Sequence, residues 1–289
     1  MAKKKWVVPA LVLAAALLVL LTLRLAGGKK ETPGADATAK PEESAVADAG
    51  HFVVKRTAGE AYYPDEKNWV YHFTYAYPQV EGGDYTAALV NDTYKMALGE
   101  VKDIVMPMFA NSPDMRYDGH NEVNHDFSVT CNTDRLLSIL MRQSQTRGKE
   151  GTALSLEAQT FNVWGDSAGD TMTLRGTVLL LAGADPDGLE EITAADLPDY
   201  PKILAGSSDR MEERLLPLLY EEFRALQSAG TARQDVEYSR YEAEFSPARD
   251  FYALPDGRIA FFFPPSLLTE PSFDVPVFTY TAAEIEALL

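Results

Sequence analysis

The hydrophobic pattern of this chain changes period several times, and each change marks an expected element. Trp6 to Leu23 is apolar apart from Pro9 and Thr22. A run of that length rises about 27 Å as a helix, and Leu25 and Ala26 extend it if Arg24 turns its charged end outward. Residues 6–26 are therefore expected to form a transmembrane signal anchor behind a short basic cytoplasmic leader, residues 1–5, which holds Lys3, Lys4 and Lys5. A cleaved secretory signal usually has a shorter apolar core, roughly 7–15 residues, and no Ala-x-Ala closes this one. Residues 27–50 hold small and polar residues with Val46 as the one larger apolar side chain. Such a segment buries too little surface to offset its ordering entropy and reads as a disordered linker.

Beyond the linker the period drops to two. His51 to Thr57 reads as a strand, and Trp69 to Tyr77 as a stronger one that Pro78 ends. From Asp84, a suitable N-cap, the period lengthens and predicts a helix to about Met106. Its inner stripe is expected at Leu89, Tyr94, Ala97, Val101, Ile104 and Val105. Asn91-Asp92-Thr93 matches a glycosylation sequon but falls inside that helix and is discounted. Phe127-Val129-Cys131, Leu137-Ile139-Met141 and Thr152 to Trp164 alternate again, and Thr171 to Leu174 resumes the pairing after a Gly/Asp turn. Consecutive strands joined this tightly predict an antiparallel meander. A second helix is expected from Ser208 or Asp209 to about Gln227, with Leu215, Leu218, Leu219, Phe223 and Leu226 inward. Pro217 removes a backbone donor there and moves the expected start toward Leu216.

The least ambiguous element lies near the end. In Phe251 to Pro265, Pro255 presets the first corner of a turn, Asp256 suits the second, and Gly257 supplies a left-handed position that closes a bulged three-residue hairpin loop. The return strand, Ile259 to Phe263, is apolar throughout, as a strand buried on both faces would be. Pro264 and Pro265 end it. A strand from Val275 to Tyr280 and a short helix capped by Thr281 complete the chain.

Composition narrows the function classes. The net charge of −17 excludes a general nucleic-acid binder, since phosphates would be repelled, and argues against docking on anionic lipid by charge. A cationic partner would be steered toward such a surface, although acidity also keeps an exported protein soluble. Cys131 is the single cysteine, so no intramolecular disulfide and no multi-cysteine zinc site is available. Its place in an alternating run makes it a buried strand residue.

Several motifs resemble one known arrangement. They are Tyr77-Pro78 with Val80, a helix carrying Asn91, the strand pair from Phe127 to Met141, and Thr160-Phe161-Asn162-Val163 before a Gly/Asp turn. Thr173-Leu174, the helix near 210–227, Phe251 to Pro265, and Asp274-Val275-Pro276-Val277 follow in the same order. Together they resemble the extracytoplasmic region of RsiV-type anti-sigma factors and the N-terminal region of the peptidoglycan deacetylase PdaC. The resemblance implies an α+β fold of two fused subdomains with mainly antiparallel sheets and packed helices. Residues 51–175 would be the PdaC-N-terminal-like subdomain and residues 176–289 the RsiV C-terminal-like one. In RsiV-type proteins the region binds lysozyme and controls a sigma factor. Here the expected leader is too short for a sigma-binding domain, no deacetylase domain is read after Leu289, and Gly151-Thr152-Ala153-Leu154 stands where many relatives have a Gly-Ala-His run. Only the ectodomain carries over.

Candidate chemistry is sparse. His120 and His125 with Asp118, Glu122 and Asp126 form the densest ligand-type cluster, but in a stretch that reads as a polar loop. Asp166 and Asp170 are spaced faintly like a calcium loop, without the later acid such a loop needs. Glu190-Glu191 and Glu212-Glu213 are the acid pairs a glycan hydrolase would want, which chance proximity explains in so acidic a chain. Tyr62, Tyr63, Trp69, Tyr71, Tyr75 and Tyr77 make a candidate stacking surface for sugars or a protein partner, although alternation favours a core face. No catalytic, cofactor-binding or metal residues are assigned. The expected protein is a single-pass, membrane-anchored, extracytoplasmic binding or sensing module of the bacterial cell envelope. Its expected partners are a cationic lysozyme-like protein or peptidoglycan. A cell-wall hydrolase or modifying enzyme using acidic residues is the alternative.

Overall fold

The computed structural model describes residues 50–82, 85–111, 120–149, 151–165, 168–183 and 208–288. The expected leader, anchor and linker lie outside the described residues. Among the described residues no helix is long and apolar enough to cross a membrane. Residues 45–289 form one compact unit, an α+β arrangement of a mixed five-stranded sheet and a three-stranded antiparallel sheet with packed helices.

The first sheet runs in sequence order: β1 (Val53–Tyr63), β2 (Tyr71–Glu81), β3 (Asn121–Asn132), β4 (Leu136–Arg147) and β5 (Thr152–Asn162). Short connections join β1 to β2 and β3 to β4 to β5, and those pairs are antiparallel. The β2–β3 pair is parallel, with Tyr71 opposite Asn121 and Tyr75 opposite His125. The expected mainly antiparallel pairing holds at every other pair of the two sheets, and this parallel pair makes the first sheet mixed. Helix α1 (Tyr85–Glu100), a wide π-type turn (Val101–Val105) and α2 (Met106–Asn111) lie between those two strands, and a connection of that length brings the chain back in the same direction.

Pro78 does not end β2. Residues two apart on a strand point their backbone groups the same way. The N–H and C=O of Val80 face the Asn91 side chain on α1, at 2.8 and 2.9 Å, away from β1. The missing N–H of Pro78 therefore points to that same side, beyond Tyr75, where β3 no longer pairs. No ladder bond is lost there.

Helix α1 buries Thr86, Ala87, Val90 and Tyr94. Of the expected stripe, Tyr94 is buried, Leu89, Ala97, Val101 and Val105 are half-buried, and Ile104 is 53% exposed. The expected cap, Asp84, lies outside the described residues. The helical course runs past Met106 because the Met106 N–H reaches back five residues to the Val101 carbonyl. The wider turn makes room for Pro107, whose ring and missing N–H do not suit an ordinary turn.

β3 starts at Asn121, so His125 stands within a strand and His120 directly before it, where a loop was expected. The meander is as expected, and Cys131 is buried within it. Thr171 makes one bridge to Phe161, after which Thr173 caps a helix, α3 (Leu174–Leu181), accepting from the Gly176 N–H at 3.1 Å. The pairing expected to resume there ends at that single bridge.

Helix α4 (Ser208–Ser228) runs straight through Pro217. Pro217 is on the solvent side, and the helix holds by burying Met211, Leu215, Leu219 and Phe223 on the other. These meet α3, α5 (Tyr238–Glu244) and the second sheet in one cluster. That sheet is β6 (Phe251–Ala253), β7 (Arg258–Phe262) and β8 (Val277–Thr281), all antiparallel. The turn is the expected one: the Gly257 N–H bonds the Leu254 carbonyl and Gly257 has φ 81°. Ile259 to Phe263 are fully buried. Phe263 packs edge-on to Phe223 and Phe245, at 5.4 and 5.1 Å between ring centres, while Phe262 stacks on Tyr252 at 6.0 Å. Ser138 on β4 links the sheets, sharing its hydroxyl with Thr160 and the Ala253 N–H. Thr281 caps the last helix, α6 (Ala282–Leu288), in a reciprocal box with Glu284.

Candidate functional site

A shallow concavity open to solvent lies where α4 meets α5. It has a volume of about 390 Å³ and is lined by Glu213, Leu216, Tyr238, Glu242, Phe245, Ser246 and Pro247. The local sequence explains its shape. Tyr238, Tyr241 and Phe245 recur at helical spacing, so Tyr241 and Phe245 are buried while Tyr238, one turn earlier, stays 37% exposed. Tyr220 stands edge-on to Tyr238 at 4.8 Å and fixes that ring. Burial, and then the charge of Glu242, raise the Tyr238 phenol above its ordinary value, so it stays neutral. The pocket thus offers an apolar floor, an aromatic face and the two carboxylates Glu213 and Glu242. That set accommodates the aliphatic stem and charged end of a lysine or arginine side chain.

A second feature is a ring cluster at the β1–β2 end of the first sheet. Tyr62 stacks on His72 at 4.3 Å with 6° between planes. Trp69 lies 4.0 Å from His120 and 5.5 Å from His72. Glu60 Oε2 accepts from the Tyr62 hydroxyl at 2.8 Å and is 3.3 Å from His72 Nε2. The Tyr62 bond, followed by the His72 bond, lowers the Glu60 carboxyl below its usual range.

The sequence candidates separate in space. His120 and His125 are an odd number of residues apart, so the strand turns them to opposite faces. His120 joins the ring cluster. His125 points inward, with Nδ1 2.8 Å from the Tyr77 hydroxyl, and burial pushes its pKa down to about 4. Asp126 is paired with Arg56 at 2.7 Å, Glu122 is exposed, and Asp118 lies outside the described residues. Among the described residues no three His, Cys, Asp or Glu side chains come together as metal ligands would. Asp166 and Glu190-Glu191 lie outside the described residues. The Asp170 carbonyl accepts from the Asn162 N–H within a tight turn.

Of the six candidate aromatics, Tyr71 and Tyr77 are core residues. Tyr75 carries Lys102, whose Nζ is 4.4 Å from the ring centre and 2.9 Å from the hydroxyl. Tyr62 and Trp69 contribute to the ring cluster. Helix α5, which supplies Tyr238 and Glu242 to the pocket, was not anticipated; the Tyr238, Tyr241, Phe245 spacing was the available signal.

No protein-family model matches the sequence, and no curated protein matches it. Among solved structures the chain is similar to a DUF3298-family member from Bacteroides fragilis, at 12% identity over 82% of this chain and 98% of that one, with a TM-score of 0.41. It is also similar to a DUF3298-family protein from Pseudomonas aeruginosa, at 10% identity over 81% and 92% of the two chains, with a TM-score of 0.44. At these values the likeness carries no functional information.

Proposed function

We propose that the chain is a membrane-anchored, extracytoplasmic binding module of the bacterial cell envelope whose partner is a cationic protein of the lysozyme type. The observation that carries this reading is the pocket between α4 and α5, where Glu213 and Glu242 stand beside the exposed Tyr238 ring over Leu216 and Phe245. A charge of −17 on the whole chain favours encounter with a cationic surface. The apolar run from Trp6 to Leu23 and the resemblance to RsiV-type ectodomains support the location and the partner class.

The test is retention of lysozyme by an immobilised fragment spanning residues 50–289 at physiological salt. Retention is expected, weakened by Glu242→Gln and by raised salt. Absence of retention at any salt concentration overturns the reading.

The ring cluster favours a second reading within the same class, a peptidoglycan-binding surface, because flat rings beside the Glu60 carboxylate suit sugar rings and their hydroxyls. Sedimentation of the fragment with purified cell walls, abolished by Trp69→Ala, is the expected result. Equal sedimentation of the variant discards it.

A further inference from the structure

The second sheet ends in an edge whose backbone is unpaired. The Phe262 N–H donates to the Asp250 carbonyl at 3.1 Å, so Phe262 and, two residues back, Ala260 turn their backbone groups toward β6. Ile259 and Phe261 therefore turn theirs toward β8, where they stand opposite Tyr280 and Phe278. Val277 and Thr279 are left with N–H and C=O pointing out of the sheet. Among the described residues no strand pairs with that side of β8. Thr281, next on the same side, gives its N–H to Glu284 Oε2 at 2.7 Å. Val277 is 38% exposed and Thr279 is exposed as well, so water reaches this edge.

Charge or proline commonly guards such an edge, and β1, an edge of the first sheet, carries Lys55, Arg56 and Glu60. β8 has neither. Carboxylates stand at its two ends instead. Asp274 is exposed three residues before Val277, and Glu284 also accepts from the Thr281 hydroxyl at 2.9 Å. From Ile259 to Leu289 the acids are Glu270, Asp274, Glu284 and Glu286, with no lysine or arginine. Arg258, which reaches the Thr279 hydroxyl at 2.9 Å, is already paired with Asp256 at 2.7 Å.

We propose that the outer edge of β8 binds an extended basic peptide segment, which adds a strand to the second sheet. Val277 and Thr279 supply two donors and two acceptors in the alternation that an added strand matches, and the carboxylates at the ends favour lysine or arginine within it. A second copy of the chain fits less well. Two β8 strands paired antiparallel would bring Asp274 of one copy toward Glu284 of the other, between chains that each carry −17. β8 shares no residue with the α4–α5 pocket, and the inference does not rest on that pocket.

The experiment follows amide hydrogen exchange by NMR in the full chain, held in micelles of an uncharged detergent. The probes are three blocked seven-residue peptides. One alternates lysine and valine, the second has glutamate for lysine, and the third is the lysine peptide N-methylated at every residue, which keeps the charge but has no backbone donors. The lysine peptide is expected to bind saturably and to slow exchange at Val277 and Thr279 at least tenfold. Glutamate or N-methylation should remove both effects. Thr279→Pro should weaken binding at least tenfold with a thermal midpoint within a few degrees of the parent, because proline facing outward on an edge strand removes no ladder bond. Glu284→Gln, which keeps an acceptor for Thr281, should weaken it severalfold. No slowing at Val277 and Thr279, or equal binding of the N-methylated peptide, overturns the inference. Slowing that grows with protein concentration in the absence of peptide overturns it in favour of a second copy. Glu242→Gln is expected to leave peptide binding unchanged, so a failure here is distinct from a failure to retain lysozyme.

Discussion

Asn91 offers the sharpest test of how the first sheet is held. Its carboxamide accepts from the Val80 N–H at 2.8 Å and donates to the Val80 carbonyl at 2.9 Å, doing for β2 what a sixth strand would do. Val80 is 2% exposed, so water does not replace these bonds. In Asn91→Ala, two buried backbone groups lose their partner at roughly 1–3 kcal/mol each. Alanine's better helix propensity returns about 0.5 kcal/mol. The expected net loss is about 1.5–5.5 kcal/mol, or roughly 3–22 °C in midpoint for a unit of this size. The assay is urea unfolding of the fragment spanning residues 50–289, followed by circular dichroism and tryptophan fluorescence. Asn91→Asp supplies a control with a sign of its own. An ionised carboxylate keeps the bond from the Val80 N–H but faces the Val80 carbonyl with a lone pair, and protonation restores a donor. That variant should therefore be closer to the parent near pH 3.5 than near pH 7. A loss below about 0.5 kcal/mol for Asn91→Ala, with an unchanged m-value, would refute the bracketing role.

His125 should make stability depend on pH. Its folded pKa, about 4, lies below the unfolded value of 6.5, so the unfolded chain binds the extra proton between those values. The contribution is fully present above pH 6.5 and is lost as pH falls toward 4, by about 3 kcal/mol at most. His125→Gln should flatten that slope in pH-dependent urea titrations, and an unchanged slope would assign it elsewhere. Phe262→Asp should leave the fragment unfolded, since it puts a carboxylate in a fully buried position; a soluble variant that melts cooperatively would show that β7 tolerates charge. Gly257→Ala should cost about 1–2 kcal/mol through backbone strain alone, because φ is 81° and no atom lies within 4 Å of an added Cβ. A neutral result in thermal melts would mean that the turn relaxes to another type.

What the sequence determined by itself was local. The hairpin at 251–263 was legible because Pro255, Asp256 and Gly257 specify one turn, and an unbroken apolar strand has nowhere to go but between two layers. The meander from β3 to β5 and the Thr281 cap were legible for the same reason: short-range backbone chemistry settles them. Tertiary structure decided the rest. Pro78 sits inside β2 because the side of the strand it faces is free of β3, and Pro217 sits inside α4 because its face is solvated while the opposite face packs on aromatic rings. The parallel β2–β3 pair depends on where a long connection returns, which no periodicity records. The pocket depends on side chains brought together from distant segments, Glu213 with Glu242. Their types were visible along the chain, but their proximity is a consequence of packing, which only the assembled layers fix.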